Sequence, residues 1–149
     1  GNRAGLASLL TEKPASLDEV IHHDALSGLD IMPAGPWNPR QAHLLGSDRM
    51  RQLLDALASH YEFVLLDTPP TLVTADVLAL SRLVEKVVFV VRWGHTKQEN
   101  ALEALRQIVD AQGSIAGVVM SRVVTKQYRQ YGYLAPSYEP AKASRASFN

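Results

Sequence analysis

The chain contains no cysteine. That excludes a disulfide framework and any metal site built on thiolates. It carries no net charge, with 15 Lys and Arg against 15 Asp and Glu, so no global field points to nucleic acid. No apolar run approaches the roughly 20 residues that span a bilayer, and no charged-then-apolar leader opens the sequence. Aromatics are scarce, at 7%. The five histidines (His22, His23, His43, His60 and His95) show no metal-ligand spacing. What remains is 46% hydrophobic and 20% charged over 149 residues, the profile of one globular domain. The first residue is Gly1 rather than Met, so the sequence reads as a piece of a longer or processed chain.

Apolar runs and helical stripes alternate. Gly5–Leu10 reads as a short helix, broken at Thr11–Ala15 by Pro14. Ser16 and Glu19 have capping-box spacing at the start of a second. On a helix the neighbours His22 and His23 face apart. Leu29–Met32 is a short strand, and 33–39, with three prolines and a glycine, is a loop that holds Trp37. Ser47 is a good N-cap for a helix to about His60, with Met50, Leu53, Leu54 and Leu57 at helical spacing. Ala75–Val84 reads as a helix that Asp76 opens, and Val87–Val91 as a strand buried on both faces. Thr96 is placed to cap a long helix with Ala101, Leu102, Leu105, Ile108 and Val109 on one face and Gly113 at its end. Ile115–Met120 is another buried strand. Strands alternating with helices predict an α/β fold with a mostly parallel sheet flanked by helices.

The run Phe63-Val64-Leu65-Leu66-Asp67-Thr68-Pro69-Pro70 carries the most chemistry. Four apolar residues predict a strand buried on both faces, ending in one acid at the rim where open α/β sheets bind ligands. Two prolines then force a turn. In a P-loop nucleotide hydrolase this is the Walker B position, where a carboxylate holds Mg²⁺ directly or through water. The alternative is a terminal Asp that only caps the next turn. Tyr61, beside this strand, reads as a packing residue.

After Arg122 the sequence changes. Tyr128, Tyr131, Tyr133 and Tyr138 are four of the five tyrosines, spaced by Gly, Pro and polar residues. Arg122, Lys126, Arg129, Lys142 and Arg145 face Glu139 alone. No period organises the segment, which reads as a mobile tail. The division is thus 1–124, which holds the alternating strands and helices, and 125–149, a tyrosine-rich flexible tail.

Four segments in order resemble the cytoplasmic domain of the bacterial tyrosine kinases of exopolysaccharide and capsule systems, members of the P-loop group that also holds MinD and ParA. They are Gly5–Leu10, Leu29–Pro36 with Asn38-Pro39, Leu44–Met50, and Val64–Pro70. The tyrosine-rich tail separates these kinases from MinD-like relatives. The resemblance implies that 1–124 is a partial P-loop kinase domain, with a P-loop, MinD-like α/β fold and with ATP and Mg²⁺ as cofactors. It implies Asp67 as the metal residue and Tyr128, Tyr131, Tyr133 and Tyr138 as phosphorylation sites. Ser121 and Arg122 fall where relatives read the adenine base, often with an Asn. As partners it implies a membrane-anchored polysaccharide co-polymerase, fused or separate, and neighbouring subunits in a homo-oligomeric ring, with no nucleic acid. The implied location is the cytoplasmic face of the plasma membrane.

The departures are as informative. There is no G-x-x-x-x-G-K-[ST], so the phosphate-cradling loop is missing, and so is the family's second Walker motif. Both belong upstream of Gly1 in the family. The resemblance therefore implies the C-terminal part of an autophosphorylating kinase domain, lacking its N-terminal strands and inactive alone, with no catalytic residue of its own. A MinD- or ParA-like ATPase switch and a non-catalytic, degenerate relative are the competing readings.

Overall fold

The computed structural model describes residues 4–11, 15–36, 39–72 and 76–124. The elements follow the expected alternation at the C-terminal end and depart from it near the middle. Helix α1 (Leu6–Leu9) is a single turn. Its first two amides donate to the proline loop, Leu6 N to the Pro33 carbonyl and Ala7 N to the Ala34 carbonyl, both at 2.9 Å. Helix α2 (Leu17–Val20) starts as expected, with the Ser16 amide donating to Glu19 Oε2 at 3.0 Å.

Next comes a feature that the helical reading of His22 and His23 misses. Strand β1 (His22–Asp24) pairs antiparallel with β2 (Leu29–Ile31), His23 opposite Asp30. The turn between them is closed by Asp24, whose Oδ2 accepts from the Ser27 amide at 3.1 Å, and by Gly28 at φ 73°. Only glycine takes that left-handed φ without cost. The hairpin is local chemistry, an Asx-type turn followed by glycine, and it outweighs any helical continuation from Ser16.

A 3₁₀ segment (Pro39–Gly46) leads into α3 (Asp48–Ala58). Ser47 caps α3 as expected, its hydroxyl oxygen accepting from the Met50 amide at 3.3 Å. Met50 and Leu54 of α3, Leu10, and Leu80 of α4 (Asp76–Ser81) form the main core, with Leu6, Leu44, Leu45, Leu53, Leu66 and Leu83 packed around it. Strand β3 (Val87–Arg92), helix α5 (Gln98–Asp110) and strand β4 (Ile115–Ser121) complete a β–α–β unit whose strands are parallel. Ala104 and Ile108 are the buried face of α5, a narrower stripe than expected, since Leu102 and Val109 are exposed. Thr96 does not cap α5. Its hydroxyl accepts from the Arg92 amide at 2.9 Å, and Lys97 takes the N-cap position. Gly113 does not take the terminating position either: Gln112 adopts the left-handed conformation after the C-cap, at φ 65°, and Gly113 follows it, donating to the Ile108 carbonyl at 2.8 Å. A Cβ on Gly113 would lie 2.7 Å from Ile108 Cγ2 and 2.9 Å from Ser81 Oγ, so any larger residue would push the Ile108 or Ser81 side chain aside.

The three runs expected to be buried on both faces are not. Residues 63–70 form no strand. In β3 the burial alternates, with Val88 57% and Val90 60% exposed, and in β4 Val118, Val119 and Met120 are exposed too. The physical reason is the number of neighbours. A doubly covered strand needs a strand on each edge and a layer on each face. Among the described residues β3 and β4 have only each other, and the 63–66 run has no ladder partner.

Candidate functional site

Asp67 is exposed at the end of the apolar run, on the wall of a cavity of about 1000 Å³. Leu66 holds the run from behind by packing on the Leu10–Met50 core. Thr68 and Pro69 follow Asp67 along the same wall. The carboxylate of Asp67 has no hydrogen bond or ion pair with a described residue.

The same cavity is lined by Asp30 and Tyr61, a pairing the sequence reading did not anticipate. Tyr61 is half-buried, and its hydroxyl donates to Asp30 Oδ2 at 2.8 Å. Across the hairpin, His23 Nδ1 lies 2.8 Å from Asp30 Oδ1. The hydrogen bond from His23, and then that from Tyr61, holds the Asp30 carboxyl below the usual carboxylate range. The same bond to Asp30 pushes the Tyr61 phenol up. Tyr61 is thus tied to β2 by a hydrogen bond. The signal in the sequence is slight: an acid between Leu29 and Ile31 in a short strand.

The candidate base-reading residues sit elsewhere. Ser121 closes β4, and its hydroxyl donates to the Val91 carbonyl at 3.2 Å, bridging the two parallel strands. Arg122 follows with φ 55° and an exposed side chain. Neither lines the cavity that Asp67 faces. Tyr128, Tyr131, Tyr133 and Tyr138, the whole 125–149 segment and Trp37 lie outside the described residues. Of the other histidines, His60 is held by its own helix end, Nδ1 lying 2.9 Å from the Ala56 carbonyl. No cluster of three metal-ligating side chains exists among the described residues.

A Mg²⁺ ion keeps several waters and takes one or two carboxylates plus phosphate oxygens. A single open carboxylate such as Asp67 fits that demand. A triphosphate needs a nest of backbone N–H groups and a lysine, and no described residue lining the cavity is a cation.

No family model matches the sequence. Among characterised proteins, the chain is 30% identical over 132 residues to the tyrosine-protein kinase YwqD of Bacillus subtilis, covering 89% of this chain and 55% of that protein. It is 32% identical over 132 residues to the tyrosine-protein kinase Etk of Escherichia coli K12, covering 89% of this chain and 18% of that one. Among solved structures, the VpsO kinase domain superposes with a TM-score of 0.75 at 31% identity, over 82% of this chain and 60% of that one. The kinase domain of Escherichia coli Etk gives 0.74 at 30% identity, over 94% and 52%. The chain is a homologue of part of the bacterial tyrosine-protein kinase domain. It spans about half of each of these solved domains. The P-loop α/β class expected from the four ordered segments is the fold of those neighbours, and β3–α5–β4 is the parallel unit of it seen here.

Proposed function

We propose that this chain is the C-terminal part of an ATP-dependent protein tyrosine kinase domain that autophosphorylates and regulates exopolysaccharide or capsule polymerisation and export. The observation that carries the reading is Asp67, an open carboxylate at the end of an apolar run, on a cavity wall, in a segment matched by kinase domains.

Asp67 would hold Mg²⁺, directly or through water. Bound there, the metal would neutralise charge on the phosphates of ATP as the phosphoryl group moves to a phenol. The rest of the argument concerns this chain's own groups. Pro69 and Pro70 fix the turn that keeps Asp67 at the rim. Ser121 and Arg122, at the end of β4, are the candidates for contact with the base. Tyr128, Tyr131, Tyr133 and Tyr138 are the acceptors. A phenol has an ordinary pKa near 10, so each needs a base, and the 149 residues hold no second Walker motif to supply one. In this reading they are accepted in trans by a neighbouring subunit's site, in a ring assembly beside a membrane-anchored co-polymerase at the cytoplasmic face of the membrane. Each modified tyrosine adds about −1.5 to −2 charge, which loosens the ring by repulsion.

The test is Asp67→Asn in this chain joined to the part of the Etk kinase domain that it does not match. The swap keeps shape and removes charge. Phosphotyrosine should disappear from the mass spectrum while the fold, read by circular dichroism, stays. Parental phosphotyrosine in the variant removes the metal role from Asp67.

A further inference from the structure

Helix α5 has two apolar sides, and only one of them is packed. Ala104 and Ile108 are buried, and Ile108 meets Ser81 of α4 over Gly113. Arg82 Nε, just past α4, donates to the Ala111 carbonyl at 2.8 Å on the same side. Leu102, Leu105 and Val109 recur at i, i+3 and i+7 and form a second stripe. At about 100° per residue, its centre lies roughly 110° around the helix from Ala104 and Ile108. Leu102 is 45% and Val109 59% exposed, with Leu105 half-buried between them. The stripe is thus on the flank away from α4 and, through Leu80, from the main core. Beyond it the outer face of α5 is acidic. Glu99, Glu103 and Asp110 are exposed, and Arg106 is the only cation of the helix.

The chain beyond Val124 has the matching chemistry. Residues 125–149 hold four tyrosines, and Lys126, Arg129, Lys142 and Arg145 against Glu139 alone. A tyrosine ring covers apolar surface while its hydroxyl stays in water. The segment also starts in the right place. The Trp93 amide donates to the Ser121 carbonyl at 3.0 Å, so β4 ends at the rim from which the chain enters α5. Extended chain from Val124 to Tyr133 spans up to about 30 Å, more than the roughly 20 Å of α5 itself. Tyr128, Tyr131 and Tyr133 are therefore within reach of the stripe.

We infer that the α5 flank at Leu102, Leu105 and Val109 is a docking site for this chain's own 125–149 segment, bound in cis and only while its tyrosines are unmodified. The inference rests on the acceptor role proposed above for those tyrosines. Docking lays the rings on the stripe and sets the basic side chains beside the acidic ridge, which withholds the acceptors from a neighbouring subunit. A phosphoryl group transferred from ATP to a phenol, with ADP leaving and the phenol proton lost, brings about −1.5 to −2 charge. Beside Glu99, Glu103 and Asp110 that charge turns attraction into repulsion, and the modified segment does not return to the helix.

The experiment is methyl-detected NMR of the 149-residue chain, at a concentration where light scattering shows a monomer. Nuclear Overhauser effects should join the Leu102 and Val109 methyls to ring protons of the tyrosines in 125–149. Leu102→Glu combined with Val109→Glu, both at exposed positions, should abolish them. In that variant trypsin should cut after Lys126 and Arg129 about tenfold faster, because each position gives up about half the burial of an apolar side chain. Leu26→Lys, in the exposed hairpin turn, should leave the cleavage rate unchanged. Phosphate placed on the segment by a separately supplied tyrosine kinase and ATP should abolish the same contacts. Four results overturn the inference: no such contacts in the unmodified chain, contacts that fade on dilution and so belong to a second copy, contacts replaced on mixing by the unmatched part of the Etk kinase domain, or contacts that survive phosphorylation. Docking is read without this chain's own ATP chemistry. Contacts in a chain that acquires no phosphate when mixed with that Etk part and Mg-ATP uphold the docking site and sink the kinase reading, so the two fail separately.

Discussion

Gly5→Ala should destabilise the chain by about 2 kcal/mol. Gly5 has φ −168°, an extended conformation open to any residue, so strain in its own backbone is not the issue. The obstacle is the proline loop. A Cβ on Gly5 would run into the Pro33 carbonyl oxygen and lie 2.6 Å from Gly35 N and 2.9 Å from the Ala34 carbonyl carbon. All three are backbone atoms, so no side chain can swing aside. One route keeps the contact and accepts overpacking, about 1–3 kcal/mol. The other pushes the loop away and loses the Leu6–Pro33 and Ala7–Ala34 hydrogen bonds, each 2.9 Å, at about 0.5–1.5 kcal/mol apiece. These are alternatives rather than a sum, and alanine's stiffer unfolded chain returns about 0.4–1 kcal/mol. With a urea slope of about 1–3 kcal/mol per molar, the midpoint should fall by about 1 M. Gly117→Ala is the control: nothing lies within 4 Å of its Cβ, and its midpoint should hardly move. Equal midpoints for the two variants would refute the close approach of α1 to the loop.

Ile108→Ala, which empties the fully buried position of α5 against Gly113, should cost about 2–5 kcal/mol in the same titration, with Val109→Ala, on the exposed side, well below that. The hairpin clasp should be pH-dependent at both ends. Asp30 is depressed, so its contribution is present above the unfolded carboxyl value near 4 and is lost as pH falls through the folded value. Tyr61 is raised, so its contribution is complete below about pH 10 and is lost as pH rises beyond its folded value. Tyr61→Phe should flatten the alkaline limb of stability against pH and also make the acid limb shallower, since the Tyr61 hydrogen bond is the second cause that holds Asp30 down, with the larger His23 contribution left in place. Calorimetric titration of this chain alone with Mg-ATP should give no heat, because no described residue lining the cavity is a cation able to hold the phosphates.

The parts of the fold legible in the sequence are those fixed by local chemistry. The Ser47 cap and the strands around Val90 and Val119 follow from one side chain or one short pattern. Thr96 misled because its hydroxyl found the Arg92 amide first. The β1–β2 hairpin was hidden by a helical start at Ser16, though Asp24, Ser27 and Gly28 held its turn signal. Burial was the least legible property. Phe63–Leu66 has the composition of a central strand, yet composition records the neighbours a strand evolved with, not those beside it here. The candidate site divided in the same way. Asp67 was visible from the motif, whereas Asp30, Tyr61 and His23 meet only because the hairpin brings them together.

The central claim is that this chain carries the metal-binding acid and the acceptor tyrosines of one kinase domain. The most direct measurement is site-resolved phosphopeptide mass spectrometry of the chain mixed with the unmatched part of the Etk kinase domain and Mg-ATP. The account predicts phosphate on Tyr128, Tyr131, Tyr133 or Tyr138, all of it lost with Asp67→Asn. Phosphate confined to Tyr61 or to serines, or tail phosphorylation indifferent to Asp67, would contradict it.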